Sequence, residues 1–379
     1  MRKIVNPFIV TGKIDPAYFC DREEESARLI RSLDNGNNLV IISPRRMGKT
    51  GLIQFCYEKP EWKKTYYTFF IDILHTSSLR EFTYTLGKEI YETLLPRSKR
   101  MTQLFMQTLK SISGKFGFDP LSNTPTFSLE LGDIDRPEYT LDEIFVYLAK
   151  ADKPCIIAID EFQQIAKYPE KNIEALLRPH IQRSDNSHFI FAGSERHMMQ
   201  EMFLSANRPF FQSSLVLSLP CIGEQVYREF ANRLLASQHR SIDESTFSYI
   251  YQQSDRVTWY VQSILHGIYE HASSEITKSL VDEVILELIE EQAMTYQNYC
   301  AWLTENQQML LGAIAREHLV SSPLSQQFIS THHLPATSSV KTALKALVDK
   351  QLVSKTPTGY LVSDRFFAKW LVGGGIIAN

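Results

Sequence analysis

Through the first part of the chain, short continuous apolar runs alternate with longer stretches whose apolar residues recur three and four positions apart. The runs at residues 39–42 (LVII), 66–74 (YYTFFIDIL), 155–161 (CIIAIDE), 188–193 (HFIFAG) and 215–219 (LVLSL) have the length of strands, and their unbroken apolarity marks strands buried on both faces. Helical spacing fills the intervals. It is seen at residues 21–33, with Ala27, Leu29, Ile30 and Leu33 inward and Asp21 as the expected cap, and again at 51–57. It returns at 79–95, ended by Pro96, and at 140–150, with Leu141, Ile144, Phe145 and Leu148 on one side. Such alternation predicts an α/β domain with a doubly wound, five-stranded parallel sheet. One interval departs from the rhythm. Between residues 97 and 136, Gly114, Gly117, Pro120, Pro125 and Gly132 punctuate a candidate strand at 126–131, so an insertion is expected there.

From Glu224 onward the pattern is helical. Tyr227, Phe230, Leu234 and Leu235 form one stripe, Trp259, Ile264, Leu265 and Ile268 form another, and residues 277–300 contain neither glycine nor proline. An all-helical lid ending in one long helix is the expectation. Beyond residue 300 come a helix, a turn at Pro323, a helix at 338–350 and a hairpin in LVSKTPTGYLVS with Thr358 and Gly359 at its tip, the order of a winged helix. Phe366, Phe367 and Trp370 are expected to anchor a core. The predicted domains are therefore 1–222, an α/β core, 223–300, a helical lid, and 301–379, a winged helix.

Composition narrows the function classes. The 379 residues are 44% hydrophobic, enough for two or three packed domains. Forty basic and 43 acidic side chains leave a formal charge of -3, so no overall field favours nucleic acid or a membrane surface. The five cysteines, Cys20, Cys56, Cys155, Cys221 and Cys300, are widely spaced and contain no C-x-x-C pair, which argues against a disulfide framework or a zinc site. With no signal-peptide pattern at the N-terminus and no run long enough to span a membrane, the expected compartment is the cytoplasm.

Candidate chemistry begins at residues 41–50, IISPRRMGKT, where an apolar strand meets a loop of P-loop character. In G-x-x-x-x-G-K-[ST], backbone N–H groups surround phosphates, the lysine meets the β- and γ-phosphates, and the hydroxyl ligates Mg²⁺. Here Gly48, Lys49 and Thr50 fill the last three positions, while Ser43 replaces the first glycine. The candidate nucleotide cradle is thus Ser43, Pro44, Arg45, Arg46, Met47, Gly48, Lys49, Thr50 and Gly51. The run CIIAIDE brings Asp160 and Glu161 to the C-terminal end of a strand, where open parallel sheets bind ligands. Asp160 is expected to hold Mg²⁺ with Thr50, and Glu161 to activate water. Ser194 follows the fourth strand, either beside the γ-phosphate or as an ordinary turn residue. Arg208, with Arg196 as the other choice, is the candidate for neutralising transition-state charge. Arg22 and the glutamates after it read as a solvated first helical turn or as a segment touching the nucleotide base.

Taken together, FCDREEE, SPRRMGKTGL, IIAIDEFQQI and FIFAGSERHMM resemble the archaeal-type ATPases of the signal-transduction (STAND) class, relatives of AAA+ and origin-recognition ATPases. The resemblance implies an ATP-binding core, a helical lid and a C-terminal winged helix. It also places the phosphate, magnesium and water-activating roles on Lys49, Thr50, Asp160 and Glu161. Residues 254–262, SDRVTWYVQ, lack the Gly-Gly-x-Pro element often found in such lids, and RPFFQSS offers only Arg208 before the fifth strand.

Three functions fit these residues. The first is a Mg²⁺-dependent ATPase switch, cycling between ATP and ADP, that regulates a protein partner through its winged helix, with assembly into oligomers compatible. The second is a nucleotide-binding interaction or DNA-binding module with little turnover, and the third, a small-molecule kinase, leaves the C-terminal domain without a role. DNA as a partner rests on Lys341, Lys345, Lys350 and Lys355, a set that a solvated helix face explains equally well.

Overall fold

The computed structural model describes residues 6–94, 98–118, 125–127, 131, 134–271, 273 and 275–375. They form two compact units, one spanning Thr11–Ile222 and the other comprising the described residues on either side of it.

In chain order the first unit contains α1 (Glu23–Asp34), β1 (Leu39–Ile42), α2 (Lys49–Tyr57), α3 (Pro60–Thr65), β2 (Tyr67–Asp72), α4 (Leu79–Leu94) and α5 (Lys99–Thr108). It continues with β3 (Phe116–Phe118), β4 (Pro125–Phe127), α6 (Pro137–Ala149), β5 (Cys155–Asp160), α7 (Ile173–Gln182), β6 (Ser187–Gly193), α8 (Arg196–Leu204) and β7 (Leu215–Ser218). Five strands make one sheet in the order β2-β5-β6-β1-β7, and every pairing is parallel. The strands alternate their side chains between two cores, as the pleat requires. Leu39, Ile41, Ile156, Ala158 and Ile190 face Leu29 and Leu33 of α1, Leu52 and Ile53 of α2 and Trp62 of α3. Val40, Ile42, Phe69, Ile157 and Phe191 face the other way, onto residues such as Phe82 of α4, Leu141 of α6, Leu177 of α7 and Met199 of α8. Both faces are covered, so the apolar runs had no polar alternation to show.

The expected insertion is present as α5 and the small antiparallel β3–β4 hairpin. Of the strand expected at 126–131, residues 128–130 lie outside the described residues. β2 stops at Asp72, and Leu74, included in the expected strand, is exposed.

The second unit contains α9 (Glu224–Leu235), α10 (Glu244–Gln253), α11 (Thr258–Glu270), α12 (Lys278–Glu291) and α13 (Ala293–Ala301). Tyr227, Phe230, Leu234, Leu235, Ile264, Leu265 and Ile268 are buried as their stripes implied, but Tyr260 takes the buried place beside a half-buried Trp259. The single long helix expected at 277–300 is two helices meeting at Gln292, whose N–H reaches back only three residues to Ile289. Glu290 and Glu291 sit at the negative end of the α12 dipole, which disfavours continuing that helix. Phe8, assigned by the sequence reading to the α/β core, instead packs in this unit against Phe230 and Tyr269.

The winged helix follows as α14 (Glu305–Glu317), α15 (Gln326–Thr331), α16 (Thr337–Asp349), β8 (Val353–Thr356), β9 (Gly359–Val362) and α17 (Arg365–Trp370). Val320 bridges to Tyr360, adding a minimal third strand to the β8–β9 wing. Phe366 and Phe367 are buried, and Trp370 stacks with Phe367 and lies near Tyr296 of α13, as anchoring residues should. Among the described residues no helix is long and apolar enough to cross a membrane.

Candidate functional site

In the sheet, β5, β6 and β1 are consecutive neighbours, so the segments leaving their C-terminal ends emerge side by side. Those segments are the loop before Lys49, the pair Asp160 and Glu161, and Ser194.

The loop turns through two left-handed residues, Arg46 at φ 67° and Gly48 at φ 89°. A Cβ on Gly48 would meet nothing within 4 Å, so backbone conformation rather than space calls for glycine there. Ser43 is buried and is not left-handed, which explains how the loop opens without the usual first glycine. Pro44, Arg45 and Arg46 are exposed, Met47 is buried, and Gly51 packs beneath Ile14 and Phe19. No side chain caps α2, leaving the N–H groups of its first turn, at the positive end of the helix dipole, available to an anion.

Lys49 is 6% exposed and donates to the carbonyl oxygens of Ser43 and Pro44, each at 3.1 Å. Burial pushes its ammonium below the ordinary lysine range, opposed by the nearby Asp160 and Glu161 charges. Thr50 Oγ1 donates to Asp160 Oδ2 at 2.6 Å across 110 residues of sequence. Burial raises the Asp160 carboxyl above its usual range, and the Thr50 hydroxyl opposes that shift. These two hard oxygens suit Mg²⁺, which binds through one or two protein oxygens and completes its shell with phosphate and water. Among the described residues there is no group of three or more His, Cys, Asp or Glu that could hold a metal ion.

Glu161 leaves β5 with φ 56°, a conformation that is uncommon outside glycine and found where structure over-determines it. Its N–H returns to Asp160 Oδ1 at 2.9 Å, so the turn that redirects Glu161 also orients Asp160. Glu161 Oε2 accepts from Ser194 Oγ at 2.7 Å and from Gln163 Nε2 at 2.5 Å, and Ser194 Oγ accepts from Arg45 Nε at 3.3 Å. Ser194 thus faces the carboxylate expected to activate water.

Two arginines have partners that the sequence did not signal. Arg208 pairs with Glu174 at 2.7 Å and Glu201 at 3.8 Å, not with the group around Lys49 and Glu161. Arg22, expected on a solvated turn or at a base, is 3% exposed and donates to Met47 O at 3.2 Å, Pro220 O at 2.7 Å and Glu25 at 2.9 Å. It ties the loop to the segment after β7. Asp21 does not cap α1: both Asp21 and Arg22 are left-handed, and Arg22 occupies the cap position with no side-chain bond to the helix. The only sequence signal for this role was an arginine next to three glutamates, which a surface turn explains as well.

A parallel α/β sheet with this loop after β1, paired carboxylates after β5 and a polar residue after β6 defines the P-loop ATPase class. Within that class, residues 19–255 match the family described as the ATPase domain predominantly from Archaea, and the chain belongs to that family. Residues 294–373 match a probable winged helix domain. Among solved structures, the Walker-type ATPase PABY2304 of Pyrococcus abyssi is similar at 17% identity and TM-score 0.64, covering 96% of this chain and 99% of that one. The Aeropyrum pernix ORC2 protein, solved as ADPNP–ADP complexes, gives 15% identity and 0.57, covering 93% and 92%. The Aeropyrum pernix ORC1 protein in complex with DNA gives 12% and 0.53, covering 97% and 96%. At these identities the likeness is one of fold. No curated protein matches the sequence.

Proposed function

We propose that this protein is a Mg²⁺-dependent ATPase of the STAND class whose nucleotide state controls a cytoplasmic protein partner through the winged helix. The observation that carries this reading is the Thr50–Asp160 hydrogen bond, which joins loop and carboxylate at one sheet edge beside Lys49 and Glu161. In this reading the backbone of residues 43–51 and the N-terminus of α2 hold the phosphates, and Lys49 supplies the positive charge against them. Thr50 and Asp160 would hold Mg²⁺, which when bound would neutralise charge on the phosphate oxygens. Glu161 takes a proton from the attacking water, and Ser194 orients Glu161. Arg208, committed to Glu174 and Glu201, is left out of the catalytic set. Hydrolysis then alters how the C-terminal unit meets its partner, and assembly into an oligomer is compatible with the reading.

The wild-type protein is expected to hydrolyse ATP under single-turnover conditions only when Mg²⁺ is present, with chelation stopping the reaction and added Mg²⁺ restoring it. Tight ATP binding with no turnover in Mg²⁺ would leave a nucleotide-binding interaction module instead.

DNA as the partner is favoured by one observation. Lys341 and Lys345 are exposed on α16, opposite the buried Val340, Leu344 and Leu347, and no acidic partner for either occurs among the described residues. On that reading, replacing both with Glu weakens binding to arbitrary duplex DNA and flattens the log–log salt dependence by about two units, one per phosphate contact. If they are a solvated face, the wild-type protein binds little DNA even at low salt, and the double replacement costs less than about 0.5 kcal/mol of stability.

A further inference from the structure

Glu161 is held unevenly. Both of its donors, Gln163 Nε2 and Ser194 Oγ, reach the same oxygen, Oε2. Gln163 belongs to the 3₁₀ turn Phe162–Lys167, which is anchored by Phe162 among Phe191, Phe203 and Phe210. It is 1% exposed, and its own Oε1 is buried with no hydrogen-bond partner. The amide packs against Gly193, the last residue of β6: a Cβ there would lie 2.5 Å from that oxygen and equally close to Met199. An unpaired buried acceptor is unfavourable, and a methionine or leucine would avoid it. The orientation has an electrostatic cause, since an ionised carboxylate only accepts and must be faced by the N–H end of the amide.

We infer that Gln163 is a positioning residue for hydrolysis: with Ser194 it fixes Glu161 Oε2 and leaves Oε1 to take the proton of the attacking water. The inference rests on the ATPase reading above. In the step served, the water oxygen bonds to the γ-phosphorus while the bond from phosphorus to the β–γ bridging oxygen breaks. That bond's electron pair leaves with ADP, and the water proton passes to Oε1. Because Ser194 also accepts from Arg45, the clamp on Glu161 extends to the phosphate loop.

The test compares Gln163→Met, similar in shape but without the amide, with Gln163→Glu, which replaces the donor with a second acceptor. Single-turnover hydrolysis of Mg·ATP by Gln163→Met is expected to fall about tenfold, as for loss of one hydrogen bond to a charged group, with the ATP dissociation constant unchanged. Gln163→Glu falls at least as far. The melting temperature of Gln163→Met holds or rises, because the unpaired oxygen is gone, whereas a merely structural glutamine would lower it. In a Glu161→Gln background, Gln163→Met causes no further loss, since it acts through Glu161. Wild-type rates in both Gln163 variants beside an inactive Glu161→Gln overturn the inference alone, as does an equal loss in the Glu161→Gln background. A Glu161→Gln protein as fast as wild type removes the base role of Glu161 and the inference with it, whereas a wild-type protein that turns over no ATP removes the ATPase reading itself.

Discussion

Replacing Lys49 with alanine lowers ATP affinity by about 10²-fold or more and leaves the fold standing, because each hydrogen bond to a charged group contributes roughly 1.5–3 kcal/mol. The ammonium is buried at 6% exposure, so its charge acts on a phosphate with little screening by water. It is also held in place, by the carbonyls of Ser43 and Pro44 at 3.1 Å. Those carbonyls belong to the loop rather than to the cores on either side of the sheet, so losing their donor disturbs local geometry only. Calorimetric titration with ATP, alongside a thermal melt, separates the two effects. An unchanged dissociation constant would sink the site assignment, and loss of the melting transition would show that Lys49 holds the loop together instead.

Glu161→Gln acts on turnover rather than affinity. Hydrolysis is expected to fall by about 10²-fold or more, as when a general base is lost, while ATP binding persists. The side chain keeps its shape, and the bond from its own N–H to Asp160 Oδ1 comes from the backbone, so the Thr50–Asp160 pair is retained. What changes is the capacity to take a proton. Single-turnover rates and equilibrium binding measured on the same preparation decide it, and parallel losses in both would move Glu161 out of the base role.

Much of the candidate site was legible because each part is a local pattern. A strand, a glycine-lysine-threonine loop and a helix lie within residues 39–57, and the candidate carboxylates Asp160 and Glu161 end an apolar run. Such signals survive without knowledge of the remaining chain, since they depend on the period of side chains along a strand or helix and on turn chemistry. The single helix expected at 277–300 failed for a related reason. Absence of breakers permits a helix, but two glutamates at its end and the packing of Tyr296 in α13 set where it stops.

Arg22, Ser194, Gln163 and Arg208 show the other side. Each is a polar residue whose meaning lies in its partner, and no local period encodes the partner. Arg22 resembled a solvated turn until folding brought Met47 and Pro220 to it, and Gln163 was one of two glutamines in a short turn until Glu161 and Gly193 enclosed it. Arg208 fell to Glu174 because α7 passes beside it. By itself, then, the sequence determined the α/β class, the phosphate-type loop, the paired carboxylates and the winged-helix order, all through contiguous patterns of apolar spacing and turn residues. Only the tertiary structure decided the strand order β2-β5-β6-β1-β7, the meeting of Thr50 with Asp160 and the two donors on Glu161. The physical reason is that burial and hydrogen bonding between distant segments are properties of the packed sheet, and the free energy of a polar side chain is set by what that packing places against it.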